Sequence, residues 1–246
     1  YTMEFLMEKT LIIWNDLSIF GLNGKAIDSI IGKIDKFKME NINYIYINSE
    51  TTFCWKSSIS NLHNGNTILI GSRPNYCFNN NLRNALELNP QRTHNENGYT
   101  ENIDFTKKDT SQLTKFVLKT KNKEIRIIED IIITGKTMEA ILKTIYSTGY
   151  SGIITIDVFI CNSVAKNNLI CQFKDKKIKI IEHILSEGIP IKEMTCICLY
   201  DFMYNTLNGL PYCENIDLLK KYFNRSSELQ NLANIFKKEI KNELKN

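Results

Sequence analysis

The chain has 246 residues, of which 43% are hydrophobic and 24% charged, and its 31 basic and 27 acidic side chains leave a formal net charge of +4. This length accommodates one substantial α/β domain with an appendage, or two small domains. So mild a charge does not indicate nucleic acid as a partner. No stretch is apolar enough to cross a membrane, so a membrane-spanning protein is not expected either.

Cysteine usage indicates the compartment. The cysteines are odd in number and irregularly spaced, and no Cys-x-x-Cys pair is present to clip zinc. Reduced thiols in a cytoplasmic protein are therefore expected. The residues concerned are Cys54, Cys77, Cys161, Cys171, Cys196, Cys198 and Cys213.

The first part of the chain alternates between the patterns of strands and helices. Runs of β-branched and aromatic residues predict strands, and apolar residues at helical spacing predict helices. The predicted elements are a strand at residues 10–14, an amphipathic helix at 25–38, a strand at 43–47, a helix through residues 53–62 and a buried strand at 67–71.

The middle of the chain predicts a long connection. Residues 77–111 are rich in asparagine, and a connection of this length inside a compact domain is usually a lid or is disordered. Residues 113–119 and 124–128 have the composition of strands.

The stretch from Ile125 to Gly149 is the one that carries chemistry. A β-branched run leads to two adjacent acids, Glu129 and Asp130, and a Thr-Gly-Lys-Thr turn at residues 134–137 follows. Apolar residues at helical spacing come after the turn, so the order is strand, acidic pair, tight turn and helix. A helix N-terminus offers unpaired N–H groups and the positive end of the helix dipole, which suits this turn to binding a phosphate.

The two acids complete this pattern. Ligands bind at the carboxyl ends of the strands in open α/β sheets, so Glu129 and Asp130 are expected to lie at the ligand. Carboxylates there accept hydrogen bonds from sugar hydroxyls or hold a magnesium ion that carries phosphate oxygens. The end of the stretch also matches a P-loop, but that pattern needs a glycine where this chain has Asp130, which excludes a Walker-type ATPase.

The strand, the acidic pair and the turn together resemble the motif that binds phosphoribosyl pyrophosphate (PRPP) in type I phosphoribosyltransferases. The resemblance is greatest to the hypoxanthine-guanine branch, in which Glu-Asp-Ile-Ile precedes a Thr-Gly-Lys-Thr turn. That branch carries a carboxylate directly before the turn, where this chain has Ile133. Because isoleucine neither accepts a proton nor hydrogen-bonds a base, a 6-oxopurine substrate is not expected.

The resemblance implies roles for the residues of the motif. Glu129 and Asp130 would hold the ribose hydroxyls, stabilise developing positive charge and bind Mg²⁺, as catalytic residues and as metal ligands. The 5-phosphate would be held by Thr134, Gly135, Lys136 and Thr137.

Two segments nearer the N-terminus match the family in position. Ser49 and Glu50 follow the strand at residues 43–47, where the family has its pyrophosphate loop, and a plain helix cap explains them equally well. Arg73 follows the next buried strand, where relatives carry an arginine that binds pyrophosphate. Pro74 replaces the lysine that normally comes next, and a solvated arginine at a strand end is the alternative.

The family also implies a mobile loop and a hood. Residues 77–111 would close over PRPP and exclude water. The anion contacts of this loop would come from Arg83, Arg92 and Lys107 or Lys108. Residues 185–226 would cover the base and residues 227–245 would form an amphipathic helix. The aromatic groups of the hood, which suit a core equally well, are Phe202, Tyr204 and Tyr212. The expected division is a core at residues 1–184 and an appendage at 185–246.

The sequence therefore predicts an α/β protein with a mainly parallel sheet flanked by helices, of the type I phosphoribosyltransferase and Rossmann-like kind, with a variable hood and a C-terminal helix. The implied reaction is transfer of a phosphoribosyl group from PRPP to a nitrogenous base, with Mg²⁺ and release of pyrophosphate. One alternative is a non-catalytic sensor of PRPP or nucleotide, or an effector module of a larger assembly such as a bacterial defence system. A nucleotide hydrolase is a further alternative. A homodimer is compatible with each of these.

Overall fold

The structure, a computed structural model, divides the chain into two compact units. One unit comprises residues 1–54 and 193–246, and the other comprises residues 55–192. The residues that the structure describes are 9–21, 28, 35–60, 66–78, 85–94, 100–200, 206–207, 210–211, 220–225, 227–228, 230–231 and 234.

Strands and helices alternate along the described residues. The strands are β1 (Lys9–Trp14), β2 (Ile42–Ile47), β3 (Thr67–Ile70), β4 (Leu86–Leu88), β5 (Gln91–His94), β6 (Thr100–Asp104), β7 (Ile125–Ile132), β8 (Ile154–Asn162), β9 (Ile178–Ser186), β10 (Met194–Cys198), β11 (Thr206–Leu207) and β12 (Leu210–Pro211). The α-helices are α1 (Ser49–Ser60), α2 (Ser72–Phe78), α3 (Lys107–Thr120), α4 (Lys136–Ser147) and α5 (Ser163–Gln172). Short 3-10 helices are Leu17–Phe20, Asp35–Phe37 and Ile191–Glu193.

The first unit is built on a three-stranded parallel sheet in the order β10-β1-β2. β1 is buried from Thr10 to Trp14, as expected for the middle strand of a parallel sheet. The indole N–H of Trp14 donates to the hydroxyl of Thr52 in α1 at 2.8 Å, which ties the helix to the sheet. Because β10 pairs with β1, the residues after 193 group with the N-terminal part of the chain, whereas the sequence predicts a boundary at residue 184.

The second unit is built on a five-stranded parallel sheet in the order β4-β3-β7-β8-β9. All nine residues of β8 are buried, since this strand lies inside the sheet and is covered on both faces. The connections through α3, α4 and α5 all advance across the sheet in one direction, and right-handed crossovers place these helices on one face. The connection through α2 runs in the opposite direction, so α2 lies on the other face. This confirms the predicted fold class.

Each face of this sheet has its own core. Under α3, α4 and α5 the core is aliphatic, and its fully buried members include Ile127, Ile141, Leu142, Ile145, Ile156 and Val158. The opposite face is aromatic. Trp55 of α1 stacks on Phe159 with ring centroids 4.8 Å apart, and Phe78 of α2 meets Trp55 edge-on at 5.6 Å. Trp55 and Phe78, both in the second unit, thus pack against Phe159 and each other on this face.

The sequence correctly predicts β1, β2, β3 and the start of β7 but misses three of the described helices, α2, α3 and α5. The strand predicted at residues 113–119 is wrong, because Lys107–Thr120 is helical and buries Leu113 and Val117, which are four residues apart. Thr106 accepts a hydrogen bond from the N–H of Asp109 at 3.1 Å, and this capping pair was the available sequence signal. Helices α2 and α5 were not predicted either.

Several predictions fall wholly or largely outside the described residues. They include the helices at 25–38 and 227–245, much of the hood, and the side chains of Arg83, Arg92, Phe202, Tyr204 and Tyr212. The described part of the predicted loop at 77–111 contains β4 and an antiparallel hairpin of β5 and β6, and α3 begins before residue 111. Within the described ranges, no helix is both long and apolar enough to cross a bilayer.

Candidate functional site

The Thr-Gly-Lys-Thr turn lies between the end of β7 and the start of α4. Gly135 caps α4 with φ of +76°, in the left-handed region that glycine adopts without steric cost. Its carbonyl accepts the N–H of Glu139 at 2.8 Å, so the helix begins directly at the glycine. Thr137 is buried and Lys136 is exposed. The first N–H groups of α4 therefore lie at the carboxyl edge of the sheet, as the sequence predicts.

Helix α5 lies behind this turn. A Cβ atom on Gly135 would lie 3.4 Å from Cδ1 of Leu169 and 3.7 Å from the carbonyl oxygen of Ala165, both in α5. Asn162 caps α5, because its side-chain oxygen accepts N–H groups of the first turn at 2.9 and 3.2 Å. Its amide donates to the carbonyl of Ile189 at 2.9 Å. Sequence reasoning missed Asn162, although an asparagine directly after an apolar strand is a usual cap signal.

The two acids lie inside β7, which continues to Ile132. Glu129 is 1% exposed and Asp130 is 7% exposed. Successive side chains of a strand point to opposite faces, so Glu129 faces the side of α4 and Asp130 the side of α2. The acids are adjacent in sequence but are separated by the sheet itself.

Asp130 forms a buried ion pair with Arg73. Nη1 of Arg73 donates to Oδ2 of Asp130 at 3.1 Å, and the two side chains are 9% and 10% exposed. Arg73 stands in the first turn of α2, directly after β3, and β3 is hydrogen-bonded to β7. The other carboxylate oxygen of Asp130 accepts the N–H of Ile131 at 2.9 Å. The fold therefore joins two predicted site residues, and Arg73 is not a solvated arginine.

A metal ion held by Glu129 and Asp130 together does not fit this arrangement. The two carboxylates point to opposite faces of β7, and both oxygens of Asp130 already accept hydrogen bonds. Among the described residues, no group of three or more His, Cys, Asp and Glu side chains is arranged to hold a metal. A magnesium ion at this edge would have to be carried mainly by the oxygens of a bound ligand.

Ser49 and Glu50 belong to the first unit. They are the first residues of α1, so the expected pyrophosphate loop is helical here. Asn48 accepts the N–H of Thr51 at 2.9 Å and so acts as the helix cap. The Ser49 hydroxyl donates to Asp28 at 2.6 Å, whereas Glu50 is exposed. The contacts of Ser49 are those of a residue that holds the helix start in place.

The hairpin of β5 and β6 leaves the sheet at the same edge as the site. It follows β4, which runs parallel to β3, and β6 lies close to α4. This is the part of the chain that the sequence predicts as a lid. Lys107 and Lys108 begin α3 directly after it and are exposed.

Cys161, at the carboxyl end of β8, is poorly suited to act as a nucleophile. Burial, together with the negative charges of Glu182 and Glu129 and against the opposing charge of Lys166, raises the pKa of its thiol to about 12. Lys166 donates to Glu182 at 2.6 Å. A thiol with so high a pKa holds almost no thiolate near neutral pH. Within the described part of the chain, no disulfide bond joins two cysteines.

We expect alkylation to distinguish the cysteines of the native protein. Iodoacetamide near neutral pH should modify the exposed Cys54 and Cys171 and leave Cys161 unmodified, because Cys161 is buried and protonated. Peptide mass spectrometry measures this directly, and denatured protein, in which every cysteine should react, is the control. Rapid modification of Cys161 in the folded chain would contradict the assignment.

Comparison with family models and with characterised proteins gives no match. Among solved structures, the chain is similar to the AQ2163 protein of Aquifex aeolicus, with 15% identity, a TM-score of 0.38 and coverage of 53% of this chain and 60% of that one. A hypothetical protein of Neisseria gonorrhoeae, solved with bound ppGpp, gives 14% identity, a TM-score of 0.41 and coverage of 63% and 85%. The TT1426 protein of Thermus thermophilus gives 9% identity, a TM-score of 0.32 and coverage of 57% and 84%. The fold assignment therefore rests on the sheets and helices described above.

Proposed function

We propose that the chain binds PRPP, or another ligand with a ribose 5-phosphate group, and transfers the phosphoribosyl group to a nitrogenous base other than a 6-oxopurine. The observation that carries this proposal is the turn at Gly135, which opens the N-terminus of α4 at the carboxyl edge of the sheet. It lies five residues after Asp130, the carboxylate of the Arg73–Asp130 pair. The turn offers N–H donors to a phosphate, and the pair offers a cation and a carboxylate to the rest of the ligand.

The turn at residues 134–137, which we call the phosphate cradle, supports the phosphate part of the proposal. Gly135 supports the turn in another way, because it adopts the left-handed backbone without steric cost, and its missing Cβ leaves room for Leu169 of α5 behind the turn. Lys136 is exposed in the first turn of α4 and adds a positive charge at the same place. The hydroxyl of Thr134 lies 3.4 Å from the backbone nitrogen of Lys136, which keeps it at the mouth of the turn. Together these groups suit a dianionic phosphate better than a neutral ligand.

The ion pair supports the pyrophosphate and ribose part. Asp130 accepts one N–H of Arg73, so the guanidinium keeps a fixed direction, and its planar fork of donors suits the oxygens of an anionic group. In the proposed complex Asp130 accepts hydrogen bonds from ribose hydroxyls with the remaining lone pairs of its carboxylate. Departure of pyrophosphate would leave positive charge on the ribose, and a carboxylate nearby would stabilise it.

A second function, a non-catalytic sensor or effector module, is favoured by the burial of the acids. Glu129 is 1% exposed, and Asp130 is already neutralised by Arg73. Such a site keeps the phosphate cradle while offering little carboxylate to a reaction centre. Both functions predict that the chain binds PRPP, but only the transferase releases pyrophosphate from it.

Calorimetric titration of the full chain with PRPP tests the proposal, with and without magnesium. A panel of nucleobases monitored for pyrophosphate release then separates the two functions. Binding with release for one base supports the transferase, and binding without release supports the sensor. Failure to bind PRPP overturns the proposal. Titration with ppGpp serves as a second test of whether the cradle binds phosphate. Pyrophosphate release that needs only water and no nucleobase would indicate a hydrolase.

Substitution of Gly135, the cap of α4, should separate the effect of the turn on PRPP affinity from its effect on the stability of the fold. Gly135→Ala is expected to lower PRPP affinity about tenfold or more, because a left-handed φ strains alanine and shifts the N–H donors of the turn. The matched control is Gly149→Ala at the other end of α4, where φ is +83° and nothing lies within 4 Å of the new Cβ.

Both glycine variants should lose a similar free energy of unfolding, about 1 kcal/mol, since both force alanine into the left-handed region. Only Gly135→Ala should lose affinity in the calorimeter. Equal affinities for the two variants would mean that the turn does not bind the ligand.

A further inference from the structure

A group of lysines lies at the amino edge of the five-stranded sheet, opposite the candidate site. We call it the basic edge, and its members are Lys119, Lys121, Lys123, Lys174, Lys176, Lys177 and Lys179. All of them are exposed. They come from two separate parts of the sequence, the end of α3 with the turn into β7, and the end of α5 with the start of β9.

Backbone contacts bring the two groups of lysines together across β8. The N–H of Ile125 in β7 donates to the carbonyl of Ile153 at 3.0 Å, and the N–H of Ile154 in β8 donates to the carbonyl of Lys177 at 2.9 Å. The lysine-bearing turns are thus separated by two strand spacings, or about 10 Å. The ammonium group of Lys176 lies 5.1 Å from the ring centroid of Tyr146, which fixes one cation on the surface.

The positive charge of the basic edge is larger than the negative partial charge of the helix C-termini that lie there. Glu124 and Asp175 are the acids of the same turns, so seven lysines and two acids leave a formal charge of +5. Three helices, α3, α4 and α5, direct their C-termini to this edge, and each contributes about −0.5 of a charge, or about −1.5 in all. A surplus of about 3.5 positive charges remains once the three helix dipoles are subtracted.

The basic edge is separate from the phosphate cradle. β8 has nine residues and runs from one edge of the sheet to the other, so the two regions are about 26 Å apart at 3.3 Å for each residue step. A ligand of the size of PRPP cannot span this distance. The charge is therefore available to a partner other than the ligand of the turn, and this inference does not depend on the proposed function.

We propose that the basic edge binds the sugar-phosphate backbone of nucleic acid without reading its sequence. Lysine is a flexible, hydrated point charge, which suits salt-dependent contact with phosphates and lacks the planar fork that reads guanine. Anchoring in a membrane surface needs a continuous apolar face beside the charges. The exposed large apolar residues on this side, Leu118, Ile153 and Ile170, come one each from three separate segments, the end of α3, the turn before β8 and the end of α5, which favours the nucleic acid.

The net charge of +4 for the whole chain conceals this patch. Electrostatic binding depends on how charge is distributed over the surface, and the fold gathers lysines that lie about fifty residues apart in sequence.

Fluorescence anisotropy of the full chain with a labelled single-stranded DNA of mixed sequence tests the proposal. The native chain should bind at low salt, and its affinity should fall steeply as salt rises. Lys123→Gln with Lys177→Gln should weaken binding about threefold to tenfold and reduce the magnitude of the salt slope by about 1.4, equally for a second DNA sequence. Both positions are exposed, so the fold should be retained, and a thermal melt verifies this.

Two control variants sharpen the test. Lys123→Arg with Lys177→Arg keeps the charge and should bind as the native chain does. Lys115→Gln with Lys143→Gln removes the same net charge from the middle of α3 and α4 and should leave binding unchanged. Absence of DNA binding by the native chain, an equal loss in this last variant, or binding confined to vesicles of anionic lipid would each overturn the proposal.

Discussion

Asp130→Ala should lower the free energy of unfolding by about 3 kcal/mol, because it leaves the buried guanidinium of Arg73 without its carboxylate. Removal of one partner of a buried pair costs far more than the pair itself contributes, since the remaining charge stays away from water. In a protein of this size the melting temperature should fall by about 9 °C. Thermal unfolding followed by circular dichroism measures this shift.

A control pair separates the effect on stability from the effect on the ligand. Arg126 and Asp157 form a second ion pair on the same face of the sheet, with side chains 13% and 4% exposed. Asp157→Ala should destabilise the chain by a similar amount but leave PRPP affinity unchanged. Asp130→Ala should also abolish PRPP binding. If Asp130→Ala melts as the native chain does, the pair is not the buried contact described here.

Arg73→Met combined with Asp130→Ala should recover most of the lost stability. The double variant removes both charges, and replacing a buried pair with apolar groups is often neutral. It should still fail to bind PRPP, because neither the cation nor the carboxylate is left. If the double variant regains stability but still does not bind PRPP, the ion pair contacts the ligand as well as supporting the fold.

Gly152→Ala should be as damaging as Asp130→Ala, at about 3 kcal/mol, although it touches no charge. A Cβ atom there would lie 2.5 Å from the carbonyl oxygen of Asn122 and 2.5 Å from the hydroxyl of Tyr150. The carbonyl belongs to the backbone and cannot rotate away. Tyr150 is held in place as well, because its hydroxyl lies within hydrogen-bond distance of the carbonyls of Lys123 and Ile153, at 2.7 and 2.9 Å.

The matched control for Gly152 is Gly188→Ala. Gly188 has φ of +70° and open space around its Cβ position, so this variant should lose only about 1 kcal/mol from backbone strain. Urea unfolding of both variants measures the difference. Equal losses would mean that the turn around Gly152 relaxes without cost.

Local patterns predicted the central motif because its parts are near one another in sequence. The apolar residues of β7, the left-handed Gly135 and the helical spacing of α4 all act within one strand, one turn and one helix. The prediction from sequence was wrong at residues 113–119, where a short apolar pattern fits a strand or a helix. Residues 113–119 contain enough β-branched and aromatic residues to resemble a strand, but the cap at Thr106 starts a helix and burial of Leu113 and Val117 completes it.

The sequence alone determined the α/β class, the strand and turn that carry the acids, and the glycine that begins α4, because backbone propensity and hydrophobic period are local properties. The tertiary structure decided three other features. It paired Arg73 with Asp130, which are 57 positions apart. It gave Gly152 its steric role against Asn122. It gathered the lysines of the basic edge. Each of these depends on which strands are neighbours and in what register, and neither order nor register is encoded in any single segment of the chain.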